Sequence, residues 1–165
     1  GSFDGAFLCW ILEHVANPFR ILQETHRCLK PGATIFCTEV MNSTLFIWPR
    51  KPIIDEVWKH LNESQVEFNG DPNVGAKVPN LLLKAGYQDI QVHHINYQFD
   101  GRNVKKRADF LSYWEGIVLS AIPALVQAGR LKQGDKDLVL KAFDELRNDP
   151  DSVFSYCAFQ CSAKS

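Results

Sequence analysis

Two apolar runs near the start of the chain are each followed by side chains that could do chemistry. The first run covers Ala6 to Leu12 and the second covers Thr34 to Val40. The side chains around their carboxyl ends include an indole, an imidazole, two carboxylates and an amide: Trp10, Glu13, His14, Glu39 and Asn42. An imidazole is the side chain that most often moves a proton in catalysis, so His14 is the predicted base of this set.

The residues between the two runs indicate one strand–helix–strand unit. A short run that is apolar throughout suits a strand buried on both faces of a parallel sheet, with a buried helix segment as the alternative. Asn17 offers an N-cap side chain, Pro18 fits the first helical position, and Pro31-Gly32 ends the helix. Parallel strands place their carboxyl ends at one edge of the sheet, where ligands bind. We therefore expect the five side chains to line a common cleft.

The rest of the sequence continues to alternate between helices and strands. We expect helices at 52–61, 75–85, 109–129 and 135–146, a break in the third at Pro123, a loop at 68–73, and strands at 88–99 and 153–163. This order predicts an α/β fold with four strands and a helical insertion, at about 101–150, before the last strand. The insertion would cap a site, form a dimer interface or pack on its own sheet.

The first unit also resembles a known family. FDGAFLCWILEHV, then Asn17-Pro18, then a segment from Leu22 through Arg27 that ends in Leu29-Lys30-Pro31-Gly32, is similar to class I S-adenosylmethionine-dependent methyltransferases. The nearest likeness is to the ubiquinone/menaquinone-biosynthesis-like group. In that family this block is the fourth strand, the following helix and the fifth strand. The resemblance implies a Rossmann-like, doubly wound sheet, S-adenosylmethionine as cofactor and a small-molecule methyl acceptor.

The resemblance also implies roles for individual residues. Cys9 and Trp10 match positions that contact the methionine and adenine parts of the cofactor, and His14 lies beside its reactive end and sometimes acts as a base. Four further residues are placed for the substrate by their position at the carboxyl end of the second strand, and not by the resemblance: Glu39, Asn42, Phe46 and Trp48. The alternatives are a core role for Cys9, a helix-flanking role for His14, a structural role for Glu13, and packing of the two aromatic residues under the next helix.

One departure from the family affects the expected activity. The chain has no G-x-G-x-x-G-like sequence, which in the family grips the cofactor, and it starts at the family's fourth strand. We therefore expect a partial methyltransferase domain over 1–165, corresponding to the C-terminal half, with weak or no cofactor binding and no activity in isolation. The open edge of the fourth strand, around Gly5 to Ile11, would favour a homodimer or a strand-exchanged assembly.

The amino-acid composition limits the classes of protein to which the chain can belong. The 165 residues are 45% hydrophobic with a net charge of −1, which argues for one globular domain and against nucleic-acid binding. Five cysteines without a C-x-x-C pair predict free thiols in a reducing cytoplasm, and scattered histidines predict no metal site. No segment is expected to span a membrane. The alternative functions are a non-catalytic dimerisation or partner-binding module and another α/β nucleotide-binding enzyme.

Overall fold

The computed structural model describes all 165 residues and contains five strands and five α-helices. The strands are β1 (Phe3–Cys9), β2 (Leu29–Val40), β3 (Phe46–Trp48), β4 (Gln88–Phe99) and β5 (Val153–Lys164). The helices are α1 (Pro18–Cys28), α2 (Pro52–Glu67), α3 (Val78–Lys84), α4 (Val104–Gln127) and α5 (Asp135–Asn148). Short 3₁₀ turns occupy Leu12–His14, Asn42–Thr44, Val74–Lys77 and Gly101–Asn103. The predicted α/β fold is confirmed.

The chain divides into two compact units. The first contains Gly1–Thr44, Gln65–Asn96 and Cys157–Ser165, and the second contains Leu45–Ser64 and Tyr97–Tyr156. In the first unit β1 pairs with β2 in parallel, from Gly5 opposite Thr34 to Cys9 opposite Thr38. On its other side, β2 pairs antiparallel with the later part of β5. Because β1 and β2 are parallel, their carboxyl ends meet at one edge, as the sequence predicts.

The first unit has a core of small and aliphatic side chains. Residues with no exposed surface come from the strands, the turns and the helices: Leu12, Leu22, Ile35, Cys37, Val74 and Leu82. Helix α1 begins where the sequence predicts, because Asn17 Oδ1 accepts a hydrogen bond from the Arg20 amide at 3.0 Å. The buried Tyr87 hydroxyl donates to the Leu22 carbonyl at 3.2 Å, which ties α1 to the segment after α3.

The second unit is built around aromatic side chains. Strand β3 pairs antiparallel with the first residues of β5, from Phe46 opposite Ser155 to Trp48 opposite Val153. Helices α4 and α5 pack together, and Trp114 of α4 contacts Phe154 and Tyr156 with ring centroids 5.1 and 4.7 Å away. These two helices fill the segment between β4 and β5 in which the sequence predicts an insertion.

Several predicted boundaries are wrong. Strand β1 covers Phe3–Cys9 and not Ala6–Leu12, because Trp10 adopts φ 51° and turns the chain out of the sheet. Helix α1 ends at Cys28, before Pro31-Gly32, and β3 was not predicted. Helix α4 runs through Pro123 without a break. Pro123 has no backbone N–H, so the helix loses one hydrogen bond there. The packing of α4 against α5 offsets this loss, and the helix stays continuous.

One helical stretch bears on the expectation that no segment spans a membrane. The helical stretch Gly101–Gln127 is long and apolar enough to cross a membrane by length and composition alone, with a mean hydropathy of 1.2 in its most apolar window. Of that window, 28% is buried within the protein. Its buried side chains include Leu111, Trp114 and Val118, which serve as core residues of the second unit.

Candidate functional site

The carboxyl end of β1 leaves the sheet through a strained residue. Trp10 has φ 51°, a left-handed conformation that is unusual for a bulky side chain and costs about 1–3 kcal/mol. Its amide donates to the Thr38 carbonyl at 2.9 Å, so the strain is held in place by the neighbouring strand. Cys9 is exposed and Trp10 is half-buried, which makes this corner accessible from solvent.

Glu39 connects the ends of the two strands. Its carboxyl group lies at the end of β2 and has no exposed surface. Glu39 Oε1 accepts hydrogen bonds from the Leu12 and Ile11 amides at 3.2 and 3.3 Å. These amides belong to the turn after β1, so the Glu39 carboxyl group links the end of β2 to that turn.

A second buried carboxyl group and an exposed imidazole stand next to Glu39. The Glu13 side chain is 4% exposed, while that of His14 is 58% exposed. His14 Nε2 lies 3.4 Å from Glu13 Oε1. Two oxygens in this cluster, Glu13 Oε2 and Glu39 Oε2, are buried and have no hydrogen-bond partner.

Burial and mutual proximity change the protonation of this cluster. Burial raises the pKa of Glu39 to about 8, and a hydrogen bond to Glu13 and the charge of Glu13 add to the increase. The two backbone amides oppose this shift because they stabilise the ionised form. Partial desolvation also raises the pKa of the otherwise exposed Cys9 thiol, with smaller effects from Glu39 and Glu13. Glu39 is therefore expected to be protonated at neutral pH.

The loop before α3 covers these side chains. The Asp71 amide donates to the Glu13 carbonyl at 2.9 Å, and the Asn42 amide donates to the Pro72 carbonyl at 2.9 Å. Gly75 packs so closely on β2 that an added Cβ would lie 2.6 Å from the Val40 carbonyl oxygen. Only glycine fits this contact, so the close packing of the loop on the strand depends on residue 75.

The structure brings some predicted site residues together and separates others by burial. Cys9, Trp10 and His14 lie at the accessible edge after β1. Glu39 and Asn42 are at the same edge but buried, and Asn42 Nδ2 donates to Gln65 Oε1 at 3.3 Å. Their predicted contact with a substrate stays a prediction and would require the covering loop to move.

Phe46 and Trp48 have a different setting from the other predicted residues. They lie on β3 in the second unit, where about half of each side chain is exposed. Exposed aromatic rings are suited to stacking, so their predicted contact with a substrate also stays a prediction. No group of three or more His, Cys, Asp or Glu side chains in the structure is arranged to hold a metal ion.

Sequence reasoning missed the covering loop as part of the site. Gly70-Asp71-Pro72 signals a turn, and the sequence predicts a loop at 68–73. Nothing in that local pattern indicates which strand ends the loop will contact. For Glu13 the sequence leaves both a cleft-lining and a structural role open, and the structure shows this residue beside both His14 and Glu39.

Comparison with known proteins bears on this site directly. Residues 1–37 match the family model of the methyltransferase domain. That match includes β1, the strained turn, α1 and most of β2. The matched stretch contains three of the predicted site residues, Cys9, Trp10 and His14.

Two curated relatives match a longer stretch. They are the thiol S-methyltransferase TMT1B of Rattus norvegicus, 32% identical over 66 residues, and that of Homo sapiens, 31% identical over 67 residues. Each match covers 38% of this chain, and it covers 26% of the rat protein and 27% of the human protein. The match thus spans about a quarter of the length of these curated relatives.

Solved structures show a similar fold over nearly the whole chain. Phosphoethanolamine N-methyltransferase 2 of Haemonchus contortus, in complex with S-adenosyl-L-methionine, is 16% identical with a TM-score of 0.50. The likeness covers 98% of this chain and 33% of that protein. A candidate methyltransferase of Bacillus halodurans C-125 is 12% identical with a TM-score of 0.51, over 98% of this chain and 69% of that protein. At these identities the likeness concerns the fold alone.

Proposed function

We propose that this chain is part of an S-adenosylmethionine-dependent methyltransferase that acts on a small molecule. In this proposal, the accessible corner after β1 forms one wall of the cofactor cleft. The observation that carries the proposal is the position of Cys9, Trp10 and His14. They lie together at the carboxyl edge of parallel strands, inside the 37 residues that match the methyltransferase family model.

The residues at this corner are suited to forming one apolar wall of a cofactor site, but not to binding the cofactor tightly on their own. The half-buried Trp10 ring and the exposed Ile11 side chain offer apolar surface for a flat heterocycle, and the left-handed turn leaves Cys9 accessible. The bound cofactor would supply a methyl group that is already activated on a sulfonium. The chain has no glycine-rich loop of the G-x-G-x-x-G type, so we expect it to bind the cofactor weakly.

His14 is the proposed base for the methyl acceptor. Its side chain is 58% exposed and lies directly after the corner, so it can contact a small molecule there. A thiol or phenol must lose a proton before it accepts a methyl group, whereas a neutral amine need not. The curated relatives carry the name thiol S-methyltransferase, and we propose a small thiol as the first acceptor class to test.

Calorimetric titration with S-adenosylhomocysteine tests the cofactor part of the proposal. We expect a dissociation constant of about 1 mM, which is weak because the main grip sequence is absent. Trp10→Ala should weaken binding further, since it removes the ring that forms the wall. Trp48→Ala, at a half-exposed tryptophan on β3, is the matched control and should leave binding unchanged. Equal binding by wild type and Trp10→Ala would contradict the proposed wall.

A second candidate function is self-association through β1. This strand pairs on one side only, with β2, and its Phe7 side chain is 68% exposed opposite the half-exposed Phe36. An open, apolar edge favours pairing with another strand. We propose a homodimer or strand-exchanged assembly in a reducing, cytoplasmic compartment, in keeping with five free cysteines.

Sedimentation equilibrium distinguishes this second function. We expect the wild-type chain to associate and Phe7→Lys to be monomeric, because a charge at the edge opposes pairing. Phe68→Lys, at another exposed phenylalanine outside β1, is the control and should associate like the wild type. A monomeric wild type at high concentration would contradict the proposed association.

A further inference from the structure

Three titratable side chains form a line from the protein surface into the interior of the first unit. His14 is more than half exposed, Glu13 is nearly buried and Glu39 is fully buried. His14 Nε2 is 3.4 Å from Glu13 Oε1, and Glu13 lies close enough to Glu39 to raise the pKa of that carboxyl group. The line ends at the Ile11 and Leu12 amides, which donate to Glu39 Oε1.

The two carboxyl groups have no cation to balance two negative charges. The other titratable groups facing them are the Cys9 and Cys37 thiols on the strands, while Asp71 of the covering loop contacts Glu13 through its backbone amide. Asp71 is already paired with Lys77 at 2.5 Å. Two ionised carboxylates in such a place repel each other and lose their hydration, so one of them keeps a proton.

A shared proton also accounts for the unpartnered oxygens. Glu13 Oε2 and Glu39 Oε2 are both buried and both lack a donor. A buried acceptor without a donor is unfavourable, because it has given up its hydrogen bonds to water. One proton held between the two carboxyl groups gives both oxygens a hydrogen bond. A lysine or arginine could also donate to them, but the cluster contains neither.

We propose that Glu13 and Glu39 share one proton, and that the remaining negative charge on Glu13 orients the His14 ring by accepting its Nε2–H. The free Nδ1 then faces outward and takes the proton of the methyl acceptor, while the electron pair of that X–H bond stays on the acceptor atom. Glu13 is a positioning residue in this arrangement, and it acts through His14. This inference rests on the proposed function and assigns the position of the proton within that site.

The arrangement fixes one tautomer of the neutral His14 ring. An acceptor at Nε2 keeps the hydrogen there and leaves the lone pair on Nδ1. If Glu13 served packing alone, the exposed ring would exchange freely between its two tautomers. The tautomer is therefore a readout that a purely structural role of Glu13 would not change.

Nuclear magnetic resonance of the full chain, labelled with ¹⁵N in histidine and ¹³C in the glutamate carboxyl groups, tests the inference. We expect the neutral ring of His14 to be protonated on Nε2 in the wild type. Glu13→Leu should convert it to a mixture of tautomers, and Glu13→Gln, which keeps an acceptor oxygen, should restore the single form. His26, whose ring contacts Tyr87 at 4.7 Å, is the control histidine and should not change.

The carboxyl signals test the shared proton. One glutamate carboxyl signal should change between about pH 6 and pH 9, and Glu39→Gln should remove that change. A wild-type His14 ring protonated on Nδ1, or the absence of any carboxyl change in that range, would overturn the inference. Because neither readout requires cofactor or turnover, this result is independent of whether S-adenosylhomocysteine binds at Trp10.

Discussion

Replacing Glu39 by glutamine should remove a pH dependence that the buried carboxyl group gives to folding. In the folded chain the pKa of Glu39 is about 8, against 4.5 for an ordinary glutamate. Between these two values the folded state holds a proton that the unfolded chain has released. The stability from this group is therefore fully present below about pH 4.5 and is lost as the pH rises through about 8.

The size of the effect follows from the same two values. One proton of difference changes the free energy of unfolding by about 1.4 kcal/mol per pH unit. Over the whole interval this amounts to about 5 kcal/mol as an upper limit, because the unfolded chain retains some structure. Between about pH 5.5 and pH 8.5, wild type should lose about 3 kcal/mol relative to Glu39→Gln.

Urea unfolding followed by tryptophan fluorescence measures this difference. The glutamine keeps an oxygen for the Ile11 and Leu12 amides and offers Glu13 a donor, so it should fold at both pH values. Glu63→Gln is the control, since His60 lowers the pKa of Glu63 and its effect on stability falls below this pH range. A wild type whose stability relative to Glu39→Gln stays constant or rises between these pH values would refute the reasoning.

Four further substitutions test the packing and one helix cap, each by urea unfolding at neutral pH. Arg107→Ala should lower the free energy of unfolding by about 3–5 kcal/mol, because the buried guanidinium donates to three backbone carbonyls between α5 and β5. A decrease of less than about 1 kcal/mol would contradict this role. Gly75→Ala should lower the free energy of unfolding by about 1–3 kcal/mol, because the added Cβ would collide with the Val40 carbonyl oxygen. Gly116→Ala has open space around the added Cβ, so it should raise the free energy of unfolding by about 1 kcal/mol through the better helix propensity of alanine. Asn17→Ala should cost about 1 kcal/mol through the lost cap, and no change would show that the cap is redundant.

The parts of the fold that follow from local chemistry were predictable from the sequence. Asn17-Pro18 sets the start of α1, Gly86 takes the left-handed conformation after α3, and the alternating pattern gives β4 its correct ends. Trp10 is the counterexample. An apolar residue in an apolar run reads as strand, and its left-handed turn depends on the Thr38 carbonyl of the neighbouring strand, which a local pattern does not contain.

The candidate site was predictable as a set of residues but not as an arrangement. The parallel unit places the ends of β1 and β2 together, so the grouping of His14 and Glu39 follows from topology. The burial of Glu39 depends on the loop near Asp71 and on the close contact of Gly75, which lie about 30 residues further along the chain. Long-range packing of this kind decides whether a carboxyl group contacts a substrate or shares a proton in the interior.

In the proposed function, the corner after β1 is a wall of the cofactor cleft. The most direct test is a ¹H–¹⁵N spectrum of the chain during titration with S-adenosylhomocysteine up to about 10 mM, well above the expected dissociation constant. We expect shift changes at the amides of Cys9, Trp10 and His14 that saturate together, with none along α5. Shifts that are absent at this corner, or that concentrate in the second unit, would contradict the claim.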